Sequence, residues 1–306
     1  MADGTGASGT GDGAMKLFCF GMGYSARATV ARMKPHLAKV WGTTRSGDRK
    51  AAIAALGAEP VVWVGEAPDA ELTAALSEAT HVLISAAPDG DGDPVLNACA
   101  DLLAETRPQA ICYLSTVGVY GDHDGAWVDE ASECRPVSQR SVRRVAAERQ
   151  WIAFSETTGI PVSIIRLAGI YGPGRGPFRK LKDGTSRRIV KPGQVFNSIH
   201  VDDIAQICAA ALLKRASGIF NGADDQPSPP QDVIVYAAHL LGIEPPPELA
   251  FDEADMTEMA RSFYGENKRV KNVRIKTELG VTLIHPTYRE GLKAVAIQQC
   301  ESNRRK

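Results

Sequence analysis

From residue 16 onward the chain alternates short apolar runs with longer stretches of helical period. KLFCFG (16–21), KVWGT (39–43), EPVVW (59–63), HVLIS (81–85), AICYLS (110–115) and PVSIIRL (161–167) have the nearly continuous apolar character of buried strands. Between them, 25–33, 48–56, 69–77, 94–105 and 138–156 set Ala, Leu and charged residues at helical spacing. Strict strand–helix alternation predicts an α/β fold with a doubly wound parallel sheet. A parallel neighbour is reached only through a crossover, and the crossovers cover both faces. The alternation ends near Tyr171, after which Pro and Gly are more frequent, as at 172–177 and 226–231. We therefore expect a nucleotide-binding-type domain over 15–171, completed by about 196–222. A smaller, discontinuous region, 172–195 and 223–306, is expected to bind substrate.

Composition narrows the class. A length of 306 residues, 44% hydrophobic and 23% charged, describes an ordinary globular protein with ample core. Thirty-five basic against 36 acidic side chains argue against a nucleic-acid partner. No run of about 18 apolar residues is present to span a membrane. Residues 1–14 lack the apolar segment of a signal peptide and read as a disordered leader, with Met15 an alternative start. Six scattered cysteines without a CxxC spacing fit reduced thiols in the cytoplasm. No two histidines stand at i, i+4 or in a Cys/His cluster, so no metal is expected.

The sharpest local motif is Gly21-Met22-Gly23-Tyr24-Ser25-Ala26, which leaves the first strand and opens the first helix. In such a GxGxxA turn, Gly21 permits the tight bend and Gly23 lets the backbone approach a pyrophosphate. Ala26 is small enough for close helix–strand packing. The helix N-terminus presents N–H groups and partial positive charge to the phosphates. The fold class sharpens to a Rossmann-type sheet binding a dinucleotide. An acidic residue about 20 positions on would select the ribose 2′-hydroxyl of NAD. This chain has Thr43, Thr44, Arg45 and Ser46 there, and no carboxylate before Asp48. Arg45 can clamp a 2′-phosphate and the hydroxyls can donate to it, so NADP is expected rather than NAD. The plainer alternative is a solvated arginine. Small residues after the fourth strand, Ser85, Ala86 and Ala87, suit a backbone passing close to the cofactor.

With these motifs the chain resembles the extended short-chain dehydrogenase/reductase superfamily, in its NAD-dependent epimerase/dehydratase group. The matching segments run in order: GMGYSA (21–26), LSTVGVYGD (114–122), RLAGIYGPGR (166–175), SIHVDDIAQ (198–206) and IFNGADDQP (219–227). ENKRVKN (266–272) and HPTYREGL (285–292) resemble an atypical branch. The resemblance implies an NADP-dependent oxidoreductase or epimerase-like enzyme acting on a small hydroxyl- or carbonyl-bearing, nucleotide-sugar-like molecule. Relatives often dimerise through the helices after the fourth and fifth strands, which leaves a homodimer open.

One departure is pronounced. The family runs its chemistry with a Tyr-x-x-x-Lys pair on the helix after the fifth strand. Anchored on Glu148, that frame puts Arg140 at the tyrosine and Arg144 at the lysine, and no tyrosine occurs between Gly121 and Ile170. Arginine stays protonated, so Arg140 cannot exchange a proton, although Arg144 can still hold a ribose or phosphate. Ser115 and Thr116 remain as hydroxyls to orient a substrate oxygen, and Tyr120 as a phenol for acid–base work or loop packing. His200 stands as a substrate-side general acid or a structural histidine, and Lys268 as part of a basic cluster for an anionic substrate or a solvated face. A literal Tyr-x-x-x-Lys at 264–268 has Gly265 and Asn267 inside it, which makes helical stacking of its ends doubtful. The loss of the pair raises a second reading, a silent NADP-binding sensor or regulator.

Overall fold

The computed structural model describes residues 14–304. The leader expected over 1–14 lies outside them except for Ala14. Seven strands form one wholly parallel sheet: β1 (Met15–Phe20), β2 (Leu37–Thr44), β3 (Glu59–Val62), β4 (His81–Ile84), β5 (Ala110–Thr116), β6 (Val162–Leu167) and β7 (Gly218–Gly222). Their order is β7-β6-β5-β4-β1-β2-β3, so the chain winds outward from β1 in both directions. This is the Rossmann-type arrangement. The crossover helices are α1 (Tyr24–Met33), α2 (Lys50–Ala54), α3 (Ala70–Glu78), α4 (Pro94–Thr106) and α5 (Gln139–Thr158). After β6 come α6 (Pro177–Lys182) and α7 (Val201–Leu213), and after β7 come α8 (Pro230–Leu241), α9 (Glu258–Tyr264), α10 (Val273–Thr277) and α11 (Tyr288–Arg304). Among the described residues no helix is long and apolar enough to cross a membrane.

Strand alternation divides the core. Leu17, Cys19, Cys112, Leu114, Ile165 and Phe220 face α1 and α7. Phe18, Phe20, Ile111, Tyr113, Val162 and Ile164 face α3, α4 and α5. Because both faces are covered, these strands are apolar throughout, as their sequence indicated. Three carboxylates or hydroxyls start the helices cleanly: Asp69 accepts the Leu72 amide, Asp93 the Val95 and Leu96 amides, and Ser138 the Ser141 amide. A separate apolar cluster joins α6, α8 and α11 beside the sheet. There Gly291 of α11 sits against the Tyr171 ring, where any β-carbon would collide with it.

One polar cluster crosses the core at β5, β6 and α5. The Arg166 guanidinium on β6 pairs with the Glu148 carboxylate at 2.7 Å, both nearly inaccessible to solvent. Ser115 donates its hydroxyl to the same carboxylate. Burial opposes the charge on Arg166, but Glu148 raises its pKa above the ordinary arginine value. Removing one member of such a pair leaves an uncompensated buried charge, which costs about 3–5 kcal/mol. We expect Glu148→Gln to lower the denaturant midpoint accordingly, and Glu148→Leu combined with Arg166→Met to recover much of the loss. Chemical denaturation of the three proteins measures both effects.

Candidate active site

Both candidate cavities open at the carboxyl ends of the parallel strands, where open α/β sheets bind ligands. The first is a groove of about 400 Å³ lined by Gly21, Met22, Gly23, Thr43–Arg45 and Ser85–Ala87. Gly21 has φ +88°, and a β-carbon there would lie 3.4 Å from the Ala86 nitrogen. Its amide donates to Thr43 Oγ1 at 2.7 Å, which ties the glycine turn to the end of β2. Gly23 is the N-cap of α1 and no side chain caps that helix. The first-turn N–H groups therefore keep their capacity for an external acceptor. A turn that needs glycine for its positive φ and offers free amides fits a dinucleotide pyrophosphate.

The remaining residues expected at this cofactor site divide between the groove and its support. Arg45 is exposed and lines the groove, joined by Arg27 and Arg49, which the sequence reading passed over. The signal for both was local: Arg27 lies four residues after Gly23, and Arg49 four after Arg45. Thr44 Oγ1 donates to the Ser46 carbonyl at 3.1 Å. The Ser46 hydroxyl is bound to Asp48 Oδ2 at 3.1 Å and also accepts the Asp48 amide, so it folds the turn. Ser25 and Ala26 are buried under α1. Tyr24 reaches away from the groove, its hydroxyl donating to the Pro173 carbonyl at 3.0 Å.

The second cavity, about 600 Å³, lies beyond β5 and β6 and brings together Ser115, Thr116, Arg140, Arg144 and Lys268. Thr116 Oγ1 accepts the Gly118 amide at 3.1 Å, which leaves its proton available to the cleft. Arg140 and Arg144 are one turn apart on α5, so they project to the same side. Arg144 donates Nη1 to the Tyr113 hydroxyl at 2.8 Å and to the Leu114 carbonyl at 2.9 Å. The Arg140 guanidinium lies 5.3 Å from the Phe263 ring of α9. Across the cleft, Lys268 Nζ donates to the Gly121 carbonyl at 2.8 Å and to Glu266 at 2.6 Å. Arg175 adds a fourth cation to the lining.

Two expected residues stand elsewhere. Tyr120 is fully buried, its hydroxyl donating to Asn221 Oδ1 at 2.8 Å beneath the Arg166 guanidinium. Burial pushes its phenol up to about 12. It holds strands together and does not reach the cleft. His200 is also buried behind the cleft, where burial, and then His285 beside it, lower its pKa to about 4. It is neutral at working pH and lines neither cavity. In contrast, Tyr264 does line the cleft together with Lys268. The doubt about stacking was well placed, because α9 ends at Tyr264 and Lys268 belongs to the following loop. The chain path, not a helix, puts both at one cavity.

A parallel sheet of this order with a glycine-turn groove at its carboxyl edge defines a Rossmann-type protein. The sequence profile of the NAD dependent epimerase/dehydratase family matches residues 21–222, and the chain belongs to that family. It is 32% identical over 222 residues to protein YeeZ of Escherichia coli strain K12, covering 69% of this chain and 72% of YeeZ. It is 30% identical over 166 residues to a 3-diazoavenalumate denitrifying reductase of Streptomyces sp., covering 50% of this chain and 52%, about half, of the reductase. Among solved structures, a conserved protein of unknown function from Silicibacter pomeroyi DSS superposes with TM-score 0.83 at 51% identity, covering 93% and 99% of the two chains. The human epimerase family protein SDR39U1, solved with NADPH, gives TM-score 0.69 at 18% identity, covering 92% and 99%. The profile match establishes the family and the superpositions the fold.

Asp224 supports the rim of the cleft. Its amide donates to the Ser198 carbonyl at 2.7 Å, its Oδ1 accepts the Gln226 amide, and its Oδ2 is buried without a partner. Burial raises this carboxyl to about 8. The folded protein thus holds a proton that the unfolded chain releases near pH 4, so this contribution to stability is complete below about pH 4 and is lost as pH rises through about 8. We expect stability to fall with pH across that window, and less steeply in Asp224→Asn. Denaturation midpoints at a series of pH values will compare the two slopes.

Proposed function

We propose that this protein binds NADP(H) in the glycine-turn groove and oxidises or reduces a small, anionic, hydroxyl- or carbonyl-bearing molecule in the adjoining cleft. The observation that carries the cofactor preference is the placement of Arg45 and Arg49 just past the end of β2, with Arg27 of α1 on the same groove lining. The nearest carboxylate in sequence, Asp48, is bound to Ser46. A 2′-phosphate would meet guanidinium groups there. The NADPH in SDR39U1 supports the same direction.

Gly21, Gly23 and the α1 N-terminus would hold the pyrophosphate, Arg45 with Arg27 and Arg49 the adenosine end, and Ser85–Ala87 the passing chain. When bound, the nicotinamide supplies a hydride donor or acceptor. Thr116 would orient the substrate oxygen, and Ser115, spending its proton on Glu148, would hold the strand end in place. Arg140, Arg144, Arg175 and Lys268 outnumber Glu266 on the lining, which supports an anionic substrate such as a carboxylate or phosphate ester. Tyr264 takes over from Tyr120 as the phenol for the proton that accompanies hydride transfer. Residues 172–195 and 223–304 then form the substrate side.

A second reading has its own observation. Arg140 and Arg144 occupy the places of the family's tyrosine and lysine, and Arg144 spends Nη1 on structural contacts. Such a site would bind NADP(H) without turnover and serve as a sensor.

Fluorescence titration separates these points. Wild-type protein should bind NADPH more tightly than NADH, and Arg45→Asp should weaken NADPH roughly tenfold or more with little effect on NADH. Equal affinity for the two cofactors would refute the 2′-phosphate assignment. In NADPH-consumption assays over a panel of anionic carbonyl compounds, Thr116→Val and Tyr264→Phe should each lower turnover about 10²-fold or more while leaving NADPH affinity unchanged. Tight binding with no turnover on any compound would favour the sensor.

A further inference from the structure

His200, Asp202 and His285 meet behind the cleft, although 85 positions separate the two histidines. His200 ends the short strand Ser198–His200 and caps α7, and Asp202 lies in the first turn of that helix. His285 arrives on the loop before α11. Buried Asp203 fixes that loop by accepting the Ile284 amide at 2.7 Å and the His285 amide at 3.1 Å. The Pro286 carbonyl accepts the Asp225 amide at 2.8 Å, which pins the next residue. The two imidazole rings are held 4.0 Å apart between centroids.

The spacing of the donor atoms is informative. Asp202 Oδ2 is 3.5 Å from His200 Nδ1 and 3.6 Å from His285 Nε2. Charge-assisted hydrogen bonds between such groups close to about 2.7–2.9 Å, so neither contact is one. Donor atoms on a tetrahedral ion with bonds of about 2.0–2.1 Å stand roughly 3.4 Å apart, close to both separations. The Asp202 amide donates to His200 Nδ1 at 3.2 Å, so that nitrogen is unprotonated, and an ion would take its lone pair in place of this amide. His200 is 2% exposed, and its other ring nitrogen, Nε2, is buried with no hydrogen-bond partner. Both rings are largely buried, but the Asp202 carboxylate is 55% exposed, so an ion could enter from solvent.

We propose that His200, Asp202 and His285 bind a divalent transition metal of the zinc class through two imidazole nitrogens and one carboxylate oxygen. Three protein ligands leave one position for water or a solvent anion. The ion would fasten the loop before α11 to the start of α7, one residue beyond the strand pair 169–171 and 198–200.

The test uses the full chain, stripped with chelator and desalted, and titrated with zinc chloride by calorimetry. One equivalent should bind with a dissociation constant on the order of micromolar or tighter, and the melting temperature should rise with zinc. Asp202→Asn, at a half-exposed position, and His285→Gln should each weaken binding roughly tenfold or more while keeping the metal-free circular dichroism spectrum. Cobalt(II) should give the visible bands of a low-coordinate nitrogen–oxygen site. No saturable binding, equal affinity in both variants, or a thiolate charge-transfer band from the cysteines would each overturn the assignment.

Discussion

The Arg166–Glu148 ion pair is the interaction on which the rest of the site depends. Its carboxylate receives Ser115 from β5 and Arg166 from β6 while belonging to α5, so one buried charge sets three elements in register. The guanidinium lies over Tyr120, which donates to Asn221 on β7. Asn221 donates in turn to the Lys271 carbonyl, at the segment that carries Lys268 to the cleft. Buried ion pairs contribute little net stability compared with apolar packing. This one is better understood as fixing geometry: Thr116 follows Ser115 in the chain, and Arg144 bonds to the Leu114 carbonyl just before it.

That network also explains the cleft's electrostatics. A neutral phenol and one lysine have given way to two arginines on α5, both permanently charged. The site has exchanged proton transfer at that helix for attraction of negative charge. Acid–base chemistry, if retained, must come from the opposite wall, where α9 and its following loop deliver Tyr264 and Lys268. The opposing placement of cations and phenol follows from Arg140 and Arg144 on α5 and from the chain path that brings α9 across.

The fold was legible because its strands are buried on both faces and three of its crossover helices, α3, α4 and α5, carry ordinary caps. Runs such as AICYLS and PVSIIRL can be little else, and the end at Tyr171 fell on the last residue of a short strand. Gly21, Thr43 and Arg45 were legible for the same reason, being local to one strand–turn–helix unit. Tyr120 was harder: its position in sequence suits the cleft mouth, but the short turn Val117–Tyr120 carries it inward to Asn221, 101 residues away. His285 lay beyond sequence reasoning altogether, because its meeting with His200 is made by backbone bonds to Asp203 and has no spacing rule. Where a contact is local the sequence states it; where it is set by topology, only the folded chain does.

The two cavities differ in how much chain must be in place before each exists. Every residue lining the nucleotide groove falls between Gly21 and Pro94. The cleft needs Ser115 and Arg144 on one wall and Tyr264 and Lys268 on the other, so more than a hundred residues separate its halves. Closing so long a loop is entropically slow. A nascent chain would therefore hold every residue of the groove well before it held those of the cleft. The Gly291 notch that seats α11 against Tyr171 comes later still, as the final clasp on a vessel whose handle was made first.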